Sequence, residues 1–136
     1  MRLARLLPSP RLRFTPLARA LTLSVACLTL SVACHQERNA SIKLMNQGIQ
    51  AFRAGQTSAA IRSLELAGDA DPTHDVVFYY LGMILNDQGS ASSDPAVFES
   101  AVKALKRGIE ANPEGAELRY QLGVALYELS RLDEAI

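Results

Sequence analysis

Cysteine, histidine and tryptophan are scarce in this chain of 136 residues, which has two Cys, two His and no Trp. No cysteine follows Cys34, so we expect no disulfide framework in the rest of the chain. His35 and His74 have no neighbours at the spacing of metal ligands, which predicts no metal site and no cofactor. Because there is neither a glycine-rich phosphate loop nor a Ser/His/Asp set, the sequence does not indicate an enzyme.

Acidic residues are absent from positions 1–33, which carry five arginines. From Cys34 onward 14 acidic residues stand against nine basic ones, a net charge of −5. An acidic body gives no electrostatic footprint for nucleic acid, so we expect no nucleic-acid partner. The length allows one small domain after the basic leader.

The leader has the layout of a secretory signal peptide over residues 1–33. An Arg-rich start precedes an apolar run of 14 residues, Ala20–Ala33, that ends in small side chains. Fourteen residues fall short of the roughly 20 that a membrane span needs. A signal without lipid, an uncleaved anchor and a mitochondrial presequence remain alternatives.

Ser31-Val32-Ala33-Cys34 resembles the lipobox of bacterial lipoproteins, with Leu30 one position earlier than usual. The resemblance implies cleavage before Cys34, acylation of Cys34 with chains such as palmitate, and a tether over 34–40. Cys27 ends an identical heptapeptide and is the alternative, but its use would leave an apolar stub on the mature protein. Since His35 rather than Asp follows Cys34, the resemblance also implies an outer-membrane location facing the periplasm.

The rest of the chain repeats itself. Gly48, Gly82 and Gly123 are 34 and 41 positions apart, and Asp71-Pro72 and Asn112-Pro113 are 41 apart. The same steps, in reverse order, separate three alanines: Ala60, Ala101 and Ala135. A 34-residue unit with a seven-residue insertion within 90–97 explains both spacings.

These landmarks resemble the tetratricopeptide repeat (TPR), a helix-turn-helix unit of 34 residues. The resemblance implies an all-α solenoid over 41–136, with two full repeats (41–74 and 75–115) and an incomplete third (116–136). The glycines would lie inside first helices, facing the alanines of second helices. Pro72 and Pro113 predict the ends of second helices, because the residue before proline leaves the helical region.

The insertion and two further glycines predict where individual helices begin and end. Asp94-Pro95 predicts a capped helix start, and Ser90–Ser93 an exposed loop. Gly55 and Gly89 are predicted at helix ends, Ser41 at a helix cap, and the acidic residues of 69–75 in a solvated turn. Because the third unit is incomplete, we expect its leucines to lack a packing partner: Leu118, Leu122 and Leu126.

In TPR proteins the first helices line a concave groove that binds peptides. The positions that match it follow four- and three-residue steps on each first helix: Met45, Ile49 and Phe52; Tyr79, Met83 and Asn86; Tyr120, Val124 and Tyr127. They include no Lys or Arg, which favours an apolar or aromatic peptide over a carboxylate-bearing one. Packing of these residues between helices is an equal alternative.

Together the two resemblances imply a membrane-anchored TPR lipoprotein of the bacterial envelope. It would act as a protein–protein interaction scaffold or adaptor that helps to assemble an envelope complex. The alternatives are an accessory segment of a longer envelope enzyme and a gene fragment without function.

Overall fold

The computed structural model describes residues 36–131, and all of its regular elements are helices. The first helix, α1, is described over residues 36–53. Four more follow: α2 Thr57–Ala70, α3 Asp75–Ser92, α4 Pro95–Ala111 and α5 Ala116–Glu128. The all-α prediction is confirmed, and α1, α3 and α5 are the first helices of the three units. Residues 36–40, which we assigned to a tether, are helical and belong to α1.

The second helices end where the prolines predict. α2 and α4 stop at Ala70 and Ala111, and the same turn follows each, built on Asp71 and on Asn112. Asp71 Oδ1 accepts hydrogen bonds from the Thr73 amide and hydroxyl at 3.0 and 2.6 Å. Asn112 Oδ1 accepts one from the Glu114 amide at 3.2 Å. These turns fix the angle at which each repeat enters the next.

The insertion lengthens two helices instead of forming a loop. Asp94 caps α4 as predicted, its carboxylate accepting from the Ala96 amide at 2.9 Å. The exposed loop predicted over Ser90–Ser93 is wrong for its first three residues, since α3 continues to Ser92 and ends at Ser93 with φ 53°. Gly89 is likewise inside α3, where a Cβ would lie 2.9 Å from the Phe98 ring. The added turns are therefore held by packing of Phe98 on Gly89.

Close approach of helices explains two of the three repeated glycines, Gly48 and Gly82. A Cβ on Gly48 would lie 2.8 Å from Leu64 Cγ, and one on Gly82 would collide with Leu105. Ala60 and Ala101 are fully buried, as their predicted packing role requires, but the leucines four residues later make the nearest side-chain contacts. Among the described residues, nothing lies within 4 Å of the Cβ position of Gly123.

The core runs through all described helices: α3 packs against α2, α4 and α5, α4 packs against α5, and Leu44 and Phe52 of α1 pack against the same core. Phe78, Ile84 and Leu105 are fully buried at its centre. Leu118 and Leu126 are also buried, and Leu122 packs partly against the same core. Our expectation that the leucines of the third unit lack a packing partner is therefore wrong, because α3 and α4 cover them.

Candidate functional site

The predicted groove residues of α5 form its exposed side. Tyr120 and Tyr127 are 70% and 66% exposed, and Val124 between them is half-buried. Steps of four and three residues place the three on one face of the helix. Contiguous exposed apolar patches, rather than single residues, mark interaction sites. The face is open within the part of the chain that the structure describes.

The matching residues of α3 and α1 are more covered. Tyr79 and Met83 are half-buried and pack against the core, and Tyr79 meets the Tyr80 ring edge-on with centroids 5.3 Å apart. On α1, Met45 and Phe52 also pack against the core. The remaining α1 residue of the set, Ile49, is half-buried. Both the groove and the packing interpretations therefore apply to these positions.

Asn86 lies in the contact between α3 and α5. It is 4% exposed, and its Nδ2 donates to the backbone oxygen and to the side-chain Oε1 of Gln121, both at 3.0 Å. Its Oδ1 has no hydrogen-bond partner among the described residues. Asn86 therefore positions two first helices side by side, a role that its place in the sequence pattern did not indicate.

Two apolar positions that sequence reasoning missed extend the face. Val76 is 42% exposed and Ile42 is exposed as well, each three residues before a predicted groove residue. The two are 34 positions apart, so the repeat spacing was the signal that could have found them. The apolar surface of the first helices therefore begins one turn earlier than predicted.

A small cleft lies between the first turns of α3 and α5. Its volume is about 150 Å³, and Val76, Tyr79 and Leu118 line it together with Asp75 and Glu117. The Asp75 carboxylate accepts a hydrogen bond at 2.7 Å from Nδ2 of Asn112, which also lines the cleft. A cleft of this size holds a single side chain rather than a small-molecule substrate.

A buried polar junction joins α1 to the turn before α3. Ser41 Oγ and His74 Nδ1 are hydrogen-bonded at 2.9 Å, and both residues are buried. Arg38 reaches Asp71 Oδ2 at 3.4 Å. Ser41 is therefore not a helix cap, and Asp71 does not belong to a solvated turn as predicted, since it is buried in this junction.

Burial lowers the pKa of His74, and the positive charge of Arg38 adds to this effect while Asp71 and Asp75 oppose it. The hydrogen bond from the Thr73 hydroxyl lowers the pKa of Asp71, against the opposing effect of burial. The folded junction thus favours a neutral imidazole beside a carboxylate. Its enclosure makes it a structural link between repeats rather than a catalytic pair.

Other predicted features are quickly placed. No group of His, Cys, Asp and Glu within residues 36–131 is arranged to hold a metal ion. No helix among these residues is both long and apolar enough to cross a bilayer. Cys34, Cys27 and the signal segment, as well as Ala135, lie outside the described residues.

The helix pairs, the glycine contacts and the repeated turns define a helical repeat protein. Residues 97–136 match the family model described as "Tetratricopeptide repeat", a stretch that includes α5 and nearly all of α4. The match supports a TPR protein and, with the helices described above, an all-α helical repeat solenoid. No curated protein matches the chain. TPR repeats generally bind protein partners, and the match therefore supports a protein–protein interaction module in this chain.

Proposed function

We propose that this chain is a scaffold or adaptor that binds an apolar or aromatic segment of a partner protein on its first helices. The exposed aromatic face of α5 carries the proposal. Tyr120 and Tyr127 present their rings to solvent on either side of Val124; Tyr120 is within one turn of the α3–α5 cleft, and Tyr127 is about two and a half turns from it. Tyrosine supplies a large contact area and a hydrogen-bonding group at low cost in conformational entropy.

The proposal includes a location. The lipobox-like segment before Cys34 supports a lipid anchor, in the bacterial envelope and on the periplasmic face of the outer membrane. There the groove would present a partner to an envelope complex during assembly. More than one acyl chain is needed for stable attachment, since a single chain binds a bilayer only marginally.

Site-specific photocrosslinking tests the binding face. A photoreactive phenylalanine derivative replaces Tyr120 in one variant and Leu66 in another, because Leu66 is also well exposed, at 58%, but lies on the second helix α2. We expect a discrete adduct with a partner protein from position 120 and none from position 66. Equal crosslinking from both positions, or none from 120, would contradict the proposed face.

Lipid labelling tests the anchor separately. We expect a clickable palmitate analogue to label the wild-type chain and the Cys27→Ser variant, and the Cys34→Ser variant to remain unlabelled. Labelling that persists in Cys34→Ser and disappears in Cys27→Ser would move the anchor to the alternative cysteine. Absence of label in the wild type would overturn the lipoprotein proposal but not the binding face.

A further inference from the structure

We propose that the cleft between the first turns of α3 and α5 binds a lysine or arginine side chain of the partner segment. The partner is then a basic peptide as well as an apolar or aromatic one. This inference rests on the proposed function and specifies the chemistry of its ligand. It is carried by the walls of the cleft, by the charges around it and by a matching arrangement elsewhere in the molecule.

The cleft has the lining that a long basic side chain requires. Val76, Tyr79 and Leu118 provide apolar walls for the methylene stem, and the cleft volume of about 150 Å³ accepts one such side chain. A cation over the Tyr79 ring would gain from the negative ring face. Glu117 lines the same cleft and is exposed, and no hydrogen bond or ion pair engages its carboxylate within residues 36–131.

The charge of the surrounding helices favours a cation. α3 and α5 together carry four acidic residues and one basic residue: Asp75, Asp87, Glu117 and Glu128, against Arg119. α2 and α4 carry four of each sign. Of these four helices, α3 and α5, which border the cleft, therefore carry the excess of negative charge. Such a local field attracts basic segments and repels acidic ones.

Elsewhere in the same molecule, an arginine side chain is bound between an aromatic ring and a carboxylate. The Arg107 guanidinium carbon lies 4.8 Å from the centroid of the Phe78 ring, and Nη2 lies 3.0 Å from Asp69 Oδ1. An aromatic ring and a carboxylate from two different helices thus hold one cation. Tyr79 on α3 and Glu117 on α5 offer a partner the same pair of groups.

Peptide selection on the full-length chain tests the inference. A phage-displayed library of short random peptides is selected on the wild type, and enriched peptides are synthesised for affinity measurements. We expect enrichment of Lys or Arg next to Phe, Tyr, Trp or Leu. Because a charge-assisted contact is lost and a repulsive charge introduced, Glu117→Lys should weaken binding about tenfold or more.

Two variants make the result specific. Glu110→Lys makes the same charge change at an exposed residue of α4, and we expect less than a twofold effect. Val76→Lys places a cation at the mouth of the cleft from an exposed position and should weaken basic peptides as Glu117→Lys does. Thermal unfolding midpoints of all three variants confirm that they are folded.

The outcomes separate this inference from the proposed function. Enrichment of acidic or uncharged peptides, or equal losses in Glu117→Lys and Glu110→Lys, would overturn the basic-ligand inference while leaving a peptide-binding scaffold intact. Failure to enrich any peptide above a bare support would overturn both.

Discussion

Helices α3 and α5 follow one sequence pattern but have different neighbours. Leu81-Gly82 in α3 recurs as Leu122-Gly123 in α5, and Tyr79 recurs as Tyr120. α3 packs against α2, α4 and α5, whereas α5 packs against α3 and α4 alone among the helices of Thr57–Glu128. As a result Tyr79 is half-buried and Tyr120 is 70% exposed. Burial at a repeat position is thus decided by the adjoining helices, not by the residue type.

The largest difference between the two helices is expected at the repeated glycines. Gly82→Ala should lower the free energy of unfolding by about 1–3 kcal/mol, because the new methyl group overlaps Leu105 in a packed core. Gly123→Ala should raise it by up to about 1 kcal/mol, since Ala favours the helix and no atom of residues 36–131 lies within 4 Å of its Cβ. Denaturant unfolding of both variants measures the difference.

A loss of stability in Gly123→Ala as large as that in Gly82→Ala would break the comparison. It would mean that another segment packs on Gly123, as α4 packs on Gly82. Gly48→Ala serves as a control, since its Cβ would lie 2.8 Å from Leu64 Cγ and the variant should behave like Gly82→Ala.

A smaller difference in stability between α3 and α5 is expected at the equivalent residues Tyr79 and Tyr120. Tyr79→Ala should cost about 1–3 kcal/mol, less than the 3–5 kcal/mol of a fully buried aromatic, because Tyr79 is half-buried against the core. Tyr120→Ala should change stability by less than about 0.5 kcal/mol while weakening partner binding. Unfolding midpoints and affinity for a selected peptide are measured on the same samples.

If Tyr120→Ala unfolds as easily as Tyr79→Ala, the exposed face of α5 is structural and the proposed binding face is wrong. If instead neither variant is less stable than the wild type, Tyr79 contributes little to the core. Tyr127→Ala repeats the test at a second residue of the same face, with nearly the same exposure as Tyr120.

The repeat frame could be read from the sequence, because its landmarks have local causes. Pro72 and Pro113 end helices through their own backbone chemistry, and Asp94-Pro95 starts one in the same way. The helical structure of Ser90–Ser92 could not be predicted in this way, because Ser and Ala occur in loops and helices alike. The packing of Phe98 on Gly89 keeps this part of α3 helical. A contact between two helices outweighed a weak local preference for a loop.

The candidate site was predictable in register but not in exposure. Equivalent positions follow from the spacing of 34 and 41, yet Asn86 and Tyr127 occupy the same position and differ completely in burial. Asn86 is covered because α5 lies beside it and Gln121 accepts its hydrogen bonds. The α3–α5 cleft was missed because it lies between two helices, and the periodicity within one helix does not predict how two helices pack.

The smallest effect on stability is expected at the two junctions between repeats. These junctions lie at equivalent positions of the repeat, before α3 and before α5. The junction of α1 with the turn before α3 contains the titratable His74 and Asp71, whereas the matching turn before α5 has Gly115 and Asn112, of which neither titrates. Because the folded state lowers the pKa of His74 from 6.5, the unfolded chain takes up this proton first as the pH falls. Stability should therefore decrease as the pH drops through 6.5.

Asp71 adds to the loss at lower pH. Its pKa lies below 3.8 in the folded state, so the stability it contributes is present above pH 3.8 and is lost as the pH falls through its folded value. Denaturant midpoints between pH 7 and pH 5 in the wild type and in His74→Gln isolate the histidine. Between these two pH values we expect a smaller decrease in His74→Gln. Asp71→Asn, which copies Asn112 of the second junction, removes a negative charge that opposes the lowering of the His74 pKa, so its decrease should be at least as large as that of the wild type. The opposite result would be a wild-type protein that gains stability from pH 7 to pH 5 while the stability of His74→Gln stays constant. It would mean that the folded junction favours the charged form of His74, so that its protonation stabilises the fold.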